Sequence, residues 1–284
     1  MLTSLAILLA TVTGGDTVLV SPAWLSAHLG DPGLVVVQVD RDRAGYDAGH
    51  IAGSRYLPLA ALLVGHDGVP NEMPALGVLD SVLESVGIGD DSRVIITGEP
   101  LAAARLFVTL DYLGHGDRAA LLDGGIPGWV AAGYPVGGGQ PTITPGSFTI
   151  ELERERLVDY GWVRANLGAP GVVLLDARPA KDYAGTPGSA QPTGHIPGAR
   201  SLPWQGTLGG SPPRLLGEGR LMEMFRDAGV RPGDLVVTSC RSGMQASFLY
   251  FVARYLGYDV KMYDGSFAEW IRQPGAPVET ALPQ

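Results

Sequence analysis

Cysteine is almost missing from this chain. Its 284 residues include one, Cys240, so neither an internal disulfide nor a Cys-x-x-Cys pair is available. Any oxidised or sulfur-loaded state of that side chain must therefore be resolved by another molecule. Charge is sparse too: Asp, Glu, Lys and Arg make up 17% of residues and the net charge is −9. With no basic run in view, nucleic acid is not an expected partner. His28, His66 and His115 show no ligand spacing with each other or with Cys240, so no metal site is expected. Lysine and arginine are absent before Arg41. The apolar run Leu5 to Ala10, followed by Val12, Thr13, Gly14 and Gly15, thus lacks the basic region of a secretory signal and is too short to span a bilayer. Residues 1–16 read either as an N-terminal extension or as a short export signal. The protein is periplasmic in the second case and cytoplasmic in the first. No integral membrane span is expected.

What the chain has in quantity is glycine, 41 residues, and proline, 22, which implies many turns between short elements. Hydrophobic content of 45% is ample for globular cores, and the length suits two domains.

The chemistry gathers around Cys240. Leu235, Val236 and Val237 form a β-branched apolar run that reads as a buried strand. From Met244 the period becomes helical, through Phe248, Leu249, Phe251, Val252, Tyr255 and Leu256, and Gly257 supplies a stop. Cys240 therefore sits where a strand gives way to a helix, with Arg241, Ser242 and Gly243 in the turn. Unpartnered N–H groups and the helix dipole favour a thiolate there, and a pKa below the free value of ~8.5 is expected. Arg241 adds a cation, and Gly243 lets the backbone curl into an anion nest. The bland alternative is a buried core cysteine, which would not need a polar Arg-Ser-Gly turn after it.

The sequence also repeats itself. AGHIAGSRYLP (Ala48 to Pro58) matches TGHIPGARSLP (Thr193 to Pro203), and LLDGGIPGW (Leu121 to Trp129) matches MYDGSFAEW (Met262 to Trp270). FVTLDYLG (Phe107 to Gly114) matches FVARYLG (Phe251 to Gly257), and the strands ending in Asp40 and Asp176 correspond. The copies are co-linear, with a Gly/Pro-rich stretch between them. The expected organisation is a first domain over 17–137, a linker over 138–150 and a second domain over 151–284. Each copy alternates strands with helices, which implies α/β domains with mainly parallel sheets, helices on both faces and a site at the strands' carboxyl ends. In the second copy the strands are VVLLD (Val172 to Asp176), LVVTS (Leu235 to Ser239) and VKMYD (Val260 to Asp264). Trp129 and Trp270 are expected to pin the last helix of each domain, and Asp123 and Asp264 to tie loops through backbone N–H groups.

Gly194-His195-Ile196-Pro197-Gly198-Ala199 after Asp176-Ala177-Arg178, then the strand–cysteine loop–helix, then Asp264-Gly265-Ser266 with Trp270, resemble the rhodanese family. From about Val18 onward the chain is similar to its tandem-domain members, the thiosulfate and 3-mercaptopyruvate sulfurtransferases. The resemblance implies two rhodanese-like domains, with the cysteine only in the second. In the first, Thr97 and Gly98 fill the matching place and are followed by Glu99 and Pro100. It further implies that Cys240 takes sulfur from a small anionic donor as a persulfide and passes it to a thiol, cyanide or protein-thiol acceptor. The loop N–H groups of Arg241, Ser242, Gly243, Met244 and Gln245 would hold that persulfide, and no metal or organic cofactor is needed. A sulfur-carrying module with little turnover of such donors is the alternative. A phosphatase would need an arginine six residues beyond the cysteine, and that position is Ala246.

The donor is less evident. The thiosulfate branch has C-R-K-G in the loop and the mercaptopyruvate branch C-G-S-G, and Cys240-Arg241-Ser242-Gly243 mixes them. Arg241 suits a sulfonate-like donor, and Ser242 suits a proton relay. His50, with Asp42, matches the relay's first-domain members, yet His195 recurs at the same place, which favours a structural turn residue. Six positions after Asp176 the family carries an anion-binding arginine, where this chain has Asp182, beside Lys181. Such a carboxylate disfavours anionic donors, and Arg178 or Arg241 is then left to hold the anion. Gly185 to Thr193, absent from the first copy, borders the expected mouth.

Overall fold

The computed structural model describes residues 18–139, 141–186, 188–189 and 192–280. Residues 1–16, read above as an extension or export signal, lie outside them. In chain order the first half holds β1 (Leu19–Val20), α1 (Pro22–His28), β2 (Leu34–Asp40), α2 (Ala44–Ala48), β3 (Arg55–Pro58), β4 (Val64–His66) and β5 (Val69–Glu72). It continues with α3 (Leu76–Ser85), β6 (Arg93–Gly98), α4 (Pro100–Tyr112), β7 (Ala119–Leu122) and α5 (Gly125–Ala131). The second half holds β8 (Leu157–Val158), α6 (Tyr160–Ala165), β9 (Val172–Asp176), α7 (Ala180–Ala184), β10 (Arg200–Ser201), β11 (Leu208–Gly209) and β12 (Arg214–Leu215). Then come α8 (Glu218–Asp227), β13 (Leu235–Ser239), α9 (Met244–Tyr255), β14 (Asp259–Tyr263) and α10 (Ser266–Trp270).

The two halves build the same sheet. The first is five-stranded in the order β1-β7-β6-β2-β3 and the second in the order β10-β9-β13-β14-β8. Every pairing within both is parallel. Matching local signals start matching helices. Ser21 Oγ accepts from Trp24 N–H to cap α1, and Asp159 Oδ1 accepts from Trp162 N–H to cap α6.

Strand alternation then sorts the core into layers. Val35, Val37 and Val39 face α3 and α4, whereas Val36 faces a second cluster with Leu25 of α1 and Trp129 of α5. In the second domain Val236 faces α8 and α9, and Val237 turns to Val163 of α6 and Trp270 of α10. Each sheet is thus covered on both faces, the doubly covered architecture expected from the sequence. Trp129 and Trp270 are buried, and their indole Nε1 donors reach the carbonyls of Pro135 and Pro277, each at 2.8 Å.

The layer containing α4 and α9 belongs to both domains. Phe107 and Phe251 meet edge to face with ring centroids 5.2 Å apart, inside one continuous buried cluster. The halves are held by a shared core, and the site lies beside it.

Candidate active site

Cys240 follows β13 directly and Met244 opens α9, so the intervening residues 240–243 form the expected loop. Gly243 is the helix N-cap at φ +82°, a left-handed conformation that a Cβ would strain, and that Cβ would come within 3.0 Å of Asp264 Oδ1. Ser266 braces the loop from below. Its Oγ accepts from Cys240 N–H at 3.1 Å and Gly243 N–H at 3.3 Å while donating to Tyr263 O at 2.8 Å. Phe267 and Ala268 N–H donate to Cys240 O and Arg241 O. Ser266 achieves this at φ +53°, and the matching Gly125 in the first copy has φ +54°. That glycine is the sequence's one signal for Ser266, whose bracing role no local pattern reveals.

The nest includes Ala246, one residue beyond the expected set, and lacks Gly243. The N–H groups of Ala246, Ser242 and Gln245 point to the Cys240 sulfur, whereas that of Gly243 is taken by Ser266. The Met244 side chain packs against the shared core. The expected acidity is also corrected. Cys240 is 2% exposed, and this burial pushes its thiol up. The N–H groups of Ala246, Ser242 and Gln245 pull downward, the Asp176 carboxylate adds to the rise, and the net shift is upward. Desolvation of the thiolate outweighs the helix terminus.

Beside the loop opens a cavity of about 390 Å³, whose lining includes Arg178, Lys181, Asp182, Arg241, Gln245 and Phe267 but not the buried Cys240 itself. Five of the singled-out residues thus meet, and Thr186 and Thr193 from the inserted segment border them. Asp182 does face this cavity. Arg178 is buried and spends much of its guanidinium on Asp176, with Nε 2.9 Å from Oδ1, and on Gly194 O at 2.7 Å. It also covers the Phe267 ring, 4.5 Å from its centroid. Lys181 and Arg241 are exposed cations at the mouth.

The relay suggested for His50 does not form. His50 is buried and stacked on Tyr46, its Nδ1 faces Tyr46 O and its Nε2 faces Gly139 O, each at 2.8 Å. Both ring nitrogens are occupied, and His195 stacks likewise on Tyr183. Asp42 Oδ1 accepts from Ala44 N–H, a local turn. Ser242 Oγ instead accepts from Asn71 Nδ2 at 2.9 Å, a residue of the first-domain hairpin β4–β5. That hairpin is anchored by Asp264, which accepts from Met73 N–H and from the fully buried Arg105, each at 2.6 Å. Asp264 and Asp123 tie loops as expected, but across the domains: Asp123 Oδ1 accepts from Leu215 N–H at 3.1 Å.

A family model described as the rhodanese-like domain matches residues 21–132 and again 159–273. A thiosulfate sulfurtransferase of Pseudomonas aeruginosa is 31% identical over 92% of this chain and 96% of its own. A probable 3-mercaptopyruvate sulfurtransferase of the same organism is 32% identical over 92% of this chain and 98% of its own. Among solved structures, the 3-mercaptopyruvate sulfotransferase SseA of Escherichia coli superposes with a TM-score of 0.77 at 25% identity, over 88% of this chain and 99% of its own. The chain belongs to the rhodanese family, which fold, repeat and cysteine loop define together. Within that family it is a two-domain sulfurtransferase.

Proposed function

We propose that the protein moves a sulfane sulfur from a small anionic donor to a thiol, cyanide or protein-thiol acceptor through a persulfide on Cys240. The observation that carries the reading is the sulfur of Cys240 facing the N–H groups of Ala246, Ser242 and Gln245, with Arg241 and Gln245 of the same turn lining a cavity that has cations at its mouth. The thiolate attacks the outer sulfur of thiosulfate, the S–S bond of the donor breaks, and its electron pair leaves with sulfite. The new terminal sulfur carries the negative charge, which the nest N–H groups stabilise. An acceptor nucleophile then attacks that sulfur, and the Cys240 thiolate departs as it was.

Thiosulfate is the favoured donor. Arg241 offers its sulfonate-like end a cation at the mouth, and the histidine–aspartate relay associated with mercaptopyruvate chemistry is replaced by Asn71 on Ser242. Asp182 on the same wall weakens anion binding and makes the KM high. The test is sulfite release from thiosulfate with cyanide present, set beside pyruvate release from 3-mercaptopyruvate. Native protein should turn over thiosulfate with the larger kcat/KM, and Cys240→Ser should turn over neither. Transfer surviving in Cys240→Ser contradicts the assignment of the nucleophile.

A further inference from the structure

The first domain has a cleft where the second has its cysteine loop. In the second domain four residues, 240–243, separate β13 from α9; in the first, Glu99 alone separates β6 from α4. The shorter connection leaves a cavity of about 570 Å³ at the carboxyl ends of the first sheet, within the range of small-molecule sites. Its floor and sides are apolar, from Ile96, Leu121 and Leu122 of the sheet to Phe248 and Phe251 of α9, and the hairpin residues Leu208 and Leu215 cover it.

Its charged groups have one sign. Asp40, Asp42, Glu99 and Asp123 lie in the lining, and among the described residues that lining includes no lysine or arginine. Two guanidiniums stand near: Arg41 pairs with Glu99 at 3.2 Å and offsets that one carboxylate, and Arg214 reaches Gly128 O at 3.3 Å. Asp40 Oδ1 accepts from Glu99 N–H and its Oδ2 from Gln38 Nε2, each at 2.7 Å. Asp40, Asp42 and Asp123 have no ion-pair partner among the described residues. Two further acceptors in the same walls have no hydrogen-bond partner among the described residues. Gln38 Oε1 and Thr97 Oγ1 are unbonded, in side chains 3% and 1% exposed. A buried polar atom without a partner costs free energy, and a ligand donor is one way to satisfy it.

The geometry points to a second binding site, in the first domain, for an organic cation with an apolar body: an arylalkylammonium. The ring fills the apolar floor, and the ammonium N–H groups donate to Asp40 and to the unbonded acceptors beside it. This cleft and the cysteine cleft have opposite charge, so an anionic sulfur donor does not compete for it.

Calorimetric titration of the full chain with tryptamine, tryptophol and indole-3-propionate tests this, because the three share one ring and differ in the charge of the tail. Tryptamine should bind saturably at one site per chain, about tenfold more tightly than tryptophol, with indole-3-propionate weaker still. Raising the salt concentration should weaken tryptamine alone. Glu99→Gln, on the exposed rim, and Asp40→Asn should each weaken tryptamine several-fold, leaving tryptophol unchanged and sulfur transfer by Cys240 intact. The ligand comparison uses native protein and stands even if Asp40→Asn folds poorly. No saturable tryptamine binding, or equal binding of the amine and the carboxylate, overturns the proposal. So does tryptamine affinity that both charge-neutral variants leave unchanged.

Discussion

At the scale of single residues, Cys240 is caught between opposing effects. Its burial raises the thiol while three N–H groups lower it, and burial prevails. The thiolate is the reactive form, so its fraction falls about tenfold for each pH unit below the midpoint. Alkylation of Cys240 by iodoacetamide should therefore keep accelerating through and above the ordinary thiol midpoint of ~8.5. A plateau already reached at neutral pH would show that the nest dominates after all. Asp182 sets a second expectation. It faces the cavity from an exposed position, so Asp182→Arg replaces repulsion with a bidentate anion clamp. The KM for thiosulfate should drop about fivefold to tenfold, with the gain shrinking as salt screens charges beyond ~8–10 Å. An unchanged KM would place the donor on Arg241 or Arg178 without any influence from Asp182.

At the scale of elements, the cysteine loop is held by backbone geometry that few residues tolerate. Gly243→Ala forces a Cβ at φ +82° against Asp264 and should cost roughly 1–2 kcal/mol of stability, read as a lower denaturation midpoint. Its sulfur transfer should fall as well, because the loop must shift to relieve the contact; wild-type stability and rate would contradict this account of the turn. The strands, the long helix and the position of Cys240 between them were legible because apolar periodicity and glycine stops are local signals. Val172–Asp176, Leu235–Ser239 and the helix from Met244 lie where the pattern put them. The brace from Ser266 was not legible, since a hydroxyl 26 residues from Cys240 finds its N–H only after β14 pairs with β13. Nor was the replacement of His50 by Asn71, which lies 171 residues from Ser242 and arrives on a hairpin of the other domain. The thiol's burial escaped for the same reason. Charge and helix position can be read along the chain, but desolvation is set by everything packed around the loop.

At the scale of the whole molecule, the cysteine-free domain contributes to the site it lacks. It supplies Asn71, Met73 and Arg105, and its helix α4 shares a core with α9. The two helices are also joined by a buried polar network. Asp111 of α4 accepts from Tyr250 Oη at 2.5 Å and from Arg254 Nε at 3.0 Å. Asp111→Ala leaves that guanidinium without its buried partner and should destabilise the protein by about 3–5 kcal/mol. Calorimetry should show both domains still melting in one lowered transition, because their core is common; two separated transitions would contradict a shared core. Sulfur held on Cys240 remains the central claim, and the mass of the intact chain reads it most directly. Protein treated with thiosulfate and freed of excess donor should gain the mass of one sulfur atom. Peptide mapping should place that atom on Cys240, and cyanide should remove it. A chain whose mass stays unchanged, or that gains sulfur equally as Cys240→Ser, would contradict the account.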